Sequence, residues 1–523
     1  MPGFSPHRRR AILLTAALAV ATSCTSSHHT TAATTTTGPT GTATTVTAPA
    51  PTAPATTAVP LPAVAPVSWK PCTGIDGPSG YDCAGLAVPL DYTNPAGPKI
   101  TVALDRKRAA GAKIGSLIMN PGGPGASGVD ALDYISSLFP QSVLDHFDIV
   151  GFDPRGVGRS SPVRCETGPQ LDQFIHLNPA PTTAAGFQTL LAGAKTFAQN
   201  CQAKSGAVLP FVGTVNAARD MDEIRAAVGD AKLNYIGFSY GTFLGATYAE
   251  LFPTHIRVMV LDGALDPALG PIATNIEQAA GFDGELNAFF AFCAGSASCP
   301  WKPGGDMRAA YESIMANIGA HPLPTGTTRT LGPGEAFFGV AQELYDQAAW
   351  PGLASALAAA QAGDGSQLLQ YSDEYTQRGP NGVYSNSLEA NNAISCVDQP
   401  WPRDPAVLQQ SAALAKQRAP EFGIADLYGA LPCTGWPAPP TSQPHAIAAA
   451  GSPPIVVVGS TGDPATPYAD AQGLAKELKS GVLLTRVGDG HTGYRSSICV
   501  RNYVDTYLLQ LTVPSAGTRC PTP

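Results

Sequence analysis

The chain is 523 residues long, with 44 % hydrophobic and 13 % charged residues and a formal net charge of -8. That composition excludes wholesale disorder and is enough for one large core or two modest ones. The acidic balance offers no basic surface to compete for phosphate backbones, so a nucleic-acid partner is excluded.

His7, Arg8, Arg9 and Arg10 followed by the apolar run Ala11 to Ala21 have the form of an export signal, and the run is too short to span a bilayer. Cys24, behind Ala21-Thr22-Ser23, looks like the cysteine of a bacterial lipobox, which is lipidated and becomes the mature N-terminus. A leucine is more usual where Ala21 stands, so cleavage and release is the alternative to a membrane anchor. Arg9-Arg10 also permits a twin-arginine route, and the sequence does not choose between routes. Residues 25–66 are almost entirely Thr, Ala, Pro and Val, with no apolar periodicity to offset the entropy of ordering, and are expected to be a linker or an O-glycosylated stalk.

From Trp69 the pattern changes to short apolar runs separated by helical stretches, the signature of a mostly parallel sheet covered on both faces. The strands expected are 116–119, 147–152, 233–237, 258–261 and 455–458, and chemistry is sought just beyond their carboxyl ends. Residues 268–452 lack this rhythm and contain Ala-rich helical stretches such as Phe337 to Ala348 and Leu353 to Ala362. They are expected to form a lid inserted between a first core part, 67–267, and a C-terminal core part, 453–523.

The stretch Gly237-Phe238-Ser239-Tyr240-Gly241 follows one of these strands and precedes a helix rich in small residues, so Ser239 is expected on a tight turn at a helix N-terminus. A serine hydroxyl is a weak nucleophile near neutral pH and needs a base, which in turn needs an acid to fix its tautomer. His491, in the glycine-rich loop Gly488 to Gly493 after the apolar run Val482-Leu483-Leu484, is the expected base. Asp463 follows the run ending at Val458 and the turn Gly459 to Gly462, and is preferred as the acid. Asp489 is the competitor, close to His491 in sequence but without a strand of its own to hold it. The oxyanion hole is assigned to the amide of Tyr240 and to the turn Asn120-Pro121-Gly122-Gly123-Pro124-Gly125, with Gly123 as first choice and Gly122 as second, because the prolines have no N–H. Asp153 and Arg155 are read as a bracing pair, and Thr466 as a residue that caps a turn or braces the acid.

The other cysteines are consistent with export. Setting Cys24 aside leaves an even set out of 11, and the pairing with the shortest loops joins Cys72 to Cys83, Cys165 to Cys201, Cys293 to Cys299, Cys396 to Cys433 and Cys499 to Cys520. Sequence alone does not fix that connectivity. No C-x-x-C spacing points to zinc, and neither a metal nor an organic cofactor is implied.

The Pro121 to Gly125 turn, Asp153-Pro154-Arg155-Gly156, the elbow around Ser239, Gly462 to Pro467 and Gly488 to Tyr494 together resemble the prolyl and tripeptidyl aminopeptidase branch of the α/β-hydrolases, especially its secreted actinobacterial members, from about Trp69 to Cys520. The resemblance implies an α/β-hydrolase fold with a large, mainly helical lid, the triad Ser239, Asp463 and His491, and an oxyanion hole at Tyr240 and Gly122-Gly123. Pro121 departs from the pattern, since prolyl aminopeptidases usually have His there, and this weighs against strict proline specificity. An exopeptidase must bind a free α-ammonium, and the family places the acids for this in the lid, where Glu343, Asp346, Glu389 and Asp398 are the candidates. The partner expected is thus a peptide, with an ester as the alternative for a carboxylesterase or lipase and a non-catalytic surface binding protein as a third possibility. The oligomeric state is not legible.

Overall fold

The computed structural model describes residues 64–73, 77 and 79–522. The export signal, Cys24 and the Thr/Ala/Pro-rich stretch as far as residue 63 lie outside the described residues. Val64 and Val67 already pack against the core.

The strands are β1 (Lys70–Pro71), β2 (Asp82–Pro89), β3 (Lys99–Lys107), β4 (Gly115–Asn120), β5 (Phe147–Phe152), β6 (Leu233–Phe238), β7 (Ile256–Asp262), β8 (Leu323–Pro324), β9 (Thr330–Leu331), β10 (Ile455–Gly462), β11 (Gly481–Asp489) and β12 (Arg519–Cys520). All but the small β8–β9 hairpin join one sheet in the order β1-β2-β3-β5-β4-β6-β7-β10-β11-β12. The neighbours from β5 to β12 are parallel. The first three strands are antiparallel, and β3 meets β5 with Leu104 opposite Phe152.

Every residue of β4, β5 and β6 is buried, which requires cover on both faces. Side chains alternate accordingly: Ile118 and Tyr235 pack into one layer, and Leu117, Met119, Ile236 and Phe238 into the other. The strands β2 and β3 were not expected from the sequence, because they mix exposed and buried positions and so lack the continuous apolar runs of the parallel part. β10 extends to Gly462, so the Gly459-Ser460-Thr461-Gly462 segment expected as a turn is the end of the strand.

Between β7 and β10 the chain is mainly helical, and this insertion has its own core around Phe289, Trp301, Trp350, Leu357 and Phe422. The helix expected over 337–348 ends earlier: it spans Pro333–Leu344, and a separate turn, Gln347–Ala349, begins with the Asp346 carboxylate capping the amide of Ala348 at 3.0 Å. The shortest-loop pairing is found throughout, with disulfides Cys72–Cys83, Cys165–Cys201, Cys293–Cys299, Cys396–Cys433 and Cys499–Cys520. No helix among the described residues is long and apolar enough to cross a membrane.

Candidate active site

The three residues expected to act together all stand at the carboxyl edge of the parallel sheet. Ser239 follows β6 directly and precedes the helix Tyr240–Leu251. Its backbone has φ 56° and ψ −125°, an arrangement that costs a residue with a Cβ about 1–3 kcal/mol. Local bonds hold it there: the Ser239 amide donates to the Asp262 carbonyl at 2.9 Å, and its own carbonyl accepts from the Thr242 amide and hydroxyl at 2.8 and 2.6 Å.

Asp463 is the residue after β10, and His491 lies two residues after β11. The His491 Nδ1 meets Asp463 Oδ1 at 2.8 Å, with both side chains buried. The same oxygen accepts from the amides of Ala465 and Thr466 at 3.1 and 2.9 Å, and Oδ2 accepts from the Thr492 amide at 3.1 Å. With these lone pairs occupied, the carboxylate has one orientation, and it fixes the imidazole with its proton on Nδ1 and a lone pair on Nε2. Nε2 is buried and has no hydrogen-bond partner among the described residues. A Cβ placed on Gly263, the residue after the Asp262 that accepts the Ser239 amide, would lie 3.2 Å from His491 Cε1, so the ring packs beside Gly263. Asp489, the competing acid, instead contacts Gln347 Nε2 at 3.5 Å.

At the two positions expected to bind an oxyanion, the amides of Tyr240 and Gly123 have no hydrogen-bond partner among the described residues, and both residues border the cavity at Ser239. The Gly122 amide is already committed to Asn120 Oδ1 at 2.9 Å, so Gly123 is the better placed of the two candidates. Gly123 has φ 109°, and a Cβ there would sit 2.8 Å from the Gly125 amide nitrogen, so only glycine fits.

A cavity of about 400 Å³ opens at Ser239, walled by the core on one side and on the other by aromatic side chains of the insertion, among them Phe337, Phe338, Tyr345 and Tyr375. Of the four acids expected to face it, only Asp398 does. Glu389 is buried against the amides of Cys165 and Glu166 at 2.5 and 2.8 Å, Asp346 pairs with Arg495 at 2.7 Å, and Glu343 is buried outside the cavity wall. The Asp398 carboxylate accepts from the Thr214 amide and hydroxyl at 2.6 and 2.5 Å, and burial pushes its pKa up to about 7 despite those bonds.

Sequence reasoning missed Asp426, on the short helix Gly423–Gly429. It lines the same cavity, its Oδ2 is buried without a hydrogen-bond partner, and burial with a contribution from the charge of Asp283 pushes its pKa up to about 8. Nothing in its neighbourhood of the sequence singles it out. Asp262 was also missed. Its carboxylate accepts from the amides of Gly493 and Tyr494 at 2.7 and 2.8 Å and so holds the far side of the His491 loop. Asp153 and Arg155 brace loops as expected, but not each other: Arg155 forms a buried pair with Asp220 at 2.6 Å, and Asp153 binds Ser127 and the amides of Val129 and Arg159.

Residues 115–494 match the family described as the alpha/beta hydrolase fold. The chain is 40 % identical over 475 residues to the serine protease Hip1 of Mycobacterium tuberculosis, covering 87 % of this chain and 91 % of that protein. It is 39 % identical over 473 residues to carboxylesterase B of the same species, with 88 % and 91 % covered. It is 31 % identical over 458 residues to the tripeptidyl aminopeptidase of Streptomyces coelicolor, with 86 % and 84 % covered. The strand order, the serine turn and these matches agree, and the chain belongs to the α/β-hydrolase family.

Proposed function

We propose that this serine hydrolase is an exopeptidase of the tripeptidyl aminopeptidase type, with Ser239 as nucleophile, His491 as general base and Asp463 as its orienting acid. Ser239 Oγ attacks the substrate carbonyl carbon while His491 Nε2 takes the hydroxyl proton, and the tetrahedral oxyanion is held by the amides of Tyr240 and Gly123. His491 then gives the proton to the leaving nitrogen. Water, deprotonated by the same ring, releases the acyl group from Ser239.

The observation that carries the choice of peptide over other acyl substrates is Asp426: a buried carboxylate oxygen with no partner, in the cavity that contains Ser239. An unpartnered buried acid is costly, and a substrate ammonium would supply the missing donor and charge. Asp398, in the same wall, is the second acid available to it. The tripeptidyl aminopeptidase relatives support this reading. The similarity to carboxylesterase B favours a second one, ester hydrolysis by the same triad, for which the aromatic cavity wall alone is enough. The insertion, residues 268–452, acts in either case as the lid that shapes this cavity.

The five disulfides support export to an oxidising compartment. Within that reading residues 1–24 are the signal, the Thr/Ala/Pro-rich stretch from residue 25 is the stalk, ending before Val64, which packs against the core, and Cys24 is the lipid attachment point that holds the enzyme at the cell envelope.

Wild-type and Ser239→Ala protein should be compared on free tripeptide amides, N-blocked tripeptide amides and short-chain esters. Cleavage of free but not blocked peptides is the expected result, with turnover lowered roughly a million-fold in the variant. Ester cleavage without peptide cleavage would replace the exopeptidase by the esterase, and near-wild-type activity in Ser239→Ala would remove the nucleophile. Mass spectrometry of the mature N-terminus checks Cys24: a diacylglyceryl mass on that cysteine is expected, and an unmodified terminus elsewhere would reject it.

A further inference from the structure

His491 is held by Asp463, at the end of the sheet, and also by one three-residue segment of the helical insertion. The His491 amide donates to the carbonyl of Tyr345 at 2.9 Å, and the Tyr345 ring meets the imidazole edge to face, with centroids 5.3 Å apart and planes at 77°. The next residue, Asp346, reaches past the loop to pair with Arg495 at 2.7 Å, and the one after it, Gln347, bonds Asp489 at 3.5 Å. The segment therefore touches the loop just before His491, at His491 itself and just after it. It is also the place where the helical stretch breaks, so the chain departs from local helical preference to make these contacts. Tyr345 lines the substrate cavity as well.

We propose that Tyr345 is a positioning residue for the general base, with Asp346 and Gln347 as its supports, so that the insertion as well as the sheet sets where the His491 ring sits. The physical basis is that a sheet-end loop rich in glycine has many conformations available, and a base must be held within a fraction of an ångström of its proton. Asp463 fixes the rotation of the ring. The Tyr345 carbonyl fixes the height of its backbone, and the Tyr345 ring blocks the side on which the imidazole would otherwise swing toward the cavity. An insertion displaced from the core would carry the base out of register even with the Asp463 bond intact, so acylation is confined to the assembled cavity.

This proposal rests on His491 being the base, and the test separates the two. The probe is p-nitrophenyl acetate, small against a cavity of about 400 Å³, so that loss of cavity contacts does not masquerade as loss of the base. Tyr345→Ala, which removes the ring and leaves the backbone carbonyl, is expected to lower kcat on the order of a hundredfold with little change in KM, and Tyr345→Phe, which keeps the ring, to recover most of that loss. The double variant Asp346→Asn with Gln347→Ala, at positions near the surface, should lower kcat on the order of tenfold, again without a matching rise in KM. If Tyr345→Ala does not fold, the double variant decides alone. Wild-type kcat in the double variant, or a loss in Tyr345→Ala that appears in KM instead of kcat, would overturn the positioning role. Wild-type kcat in His491→Ala would remove the base assignment itself, an outcome that none of the Tyr345, Asp346 or Gln347 variants can imitate.

Discussion

Asp262 is bonded to Ser239 through its backbone and to the loop of His491 through its side chain. Its carbonyl accepts the Ser239 amide at 2.9 Å, and its two carboxylate oxygens accept the amides of Gly493 and Tyr494 at 2.7 and 2.8 Å. One residue at the end of β7 thus ties the Ser239 turn to the His491 loop. Burial pushes the pKa of this carboxyl up to about 6, against the two amide bonds that favour its charged form.

Asp262→Asn should weaken both protein and catalyst. An amide side chain has one acceptor oxygen, so one of the two loop amides would face an N–H₂ group and lose its partner. A buried donor left unpaired costs about 1–3 kcal/mol, which a denaturant titration at neutral pH can resolve. Loosening the loop should also reduce kcat by an amount on the order of tenfold to a hundredfold. Unchanged stability together with unchanged kcat would show that the link between the two loops has no energetic content.

The turn around Ser239 sets a second expectation. A Cβ on Gly237 would stand 2.3 Å from the Gly241 carbonyl oxygen, and one on Gly241 would stand 2.9 Å from the Asn120 carbonyl oxygen. In each case the obstacle is backbone, which cannot rotate away. Gly237→Ala should therefore destabilise the fold by about 3 kcal/mol or more, seen as poor expression or an early thermal transition, and Gly241→Ala somewhat less, with the turn opened and Ser239 displaced. Wild-type melting and activity in Gly237→Ala would mean that the turn is not as tight as these distances state.

That turn was legible in the sequence because its constraint is local: strand, small residue, serine, small residue and helix are consecutive. His491 and Asp463 were candidates for a related reason, since each follows an apolar run that forms a strand, buried in β10 and half-buried in β11. The disulfides followed from short loops. What stayed hidden depends on contacts between distant segments. Asp262 closes a strand like many others, and its role arises only when β6 and β7 align Phe238 with Asp262 and bring in a loop 231 residues away. Asp346 read as a lid acid because its charge was visible, whereas its partner Arg495 was 149 residues distant. Asp426 has no pattern around it, and its significance is that nothing pairs with its Oδ2.

The choice of acid can be tested directly. Asp463→Asn leaves the shape of the side chain but places an N–H₂ against donors, so His491 loses the partner that fixes its tautomer, and kcat should fall by about 10⁴. Asp489→Asn leaves the bonds of Asp463 to His491 intact and should cost no more than about tenfold in kcat on p-nitrophenyl acetate. Equal losses in the two variants would reopen the assignment.

Under the exopeptidase reading, Asp398 and Asp426 in the cavity wall should make the response to pH specific to the substrate. Burial raises these carboxyls to about 7 and about 8, far above the ordinary value near 4, so between those limits the folded protein holds protons that the unfolded chain has released. Stability from these groups is therefore complete below about pH 4 and is lost as the pH rises through 7 and then 8. Asp426→Asn, which carries no charge, should melt higher than wild type at about pH 9 and alike at about pH 5. Binding runs the other way. A neutral Asp426 offers a substrate ammonium no charge, so KM for a free tripeptide amide should rise on going from about pH 8 to about pH 6, while KM for an N-blocked amide or a short ester should hold steady. In Asp426→Asn the free-amine KM should be high at every pH and the slope absent. A wild-type slope shared equally by free and blocked substrates would leave Asp426 without a part in recognition.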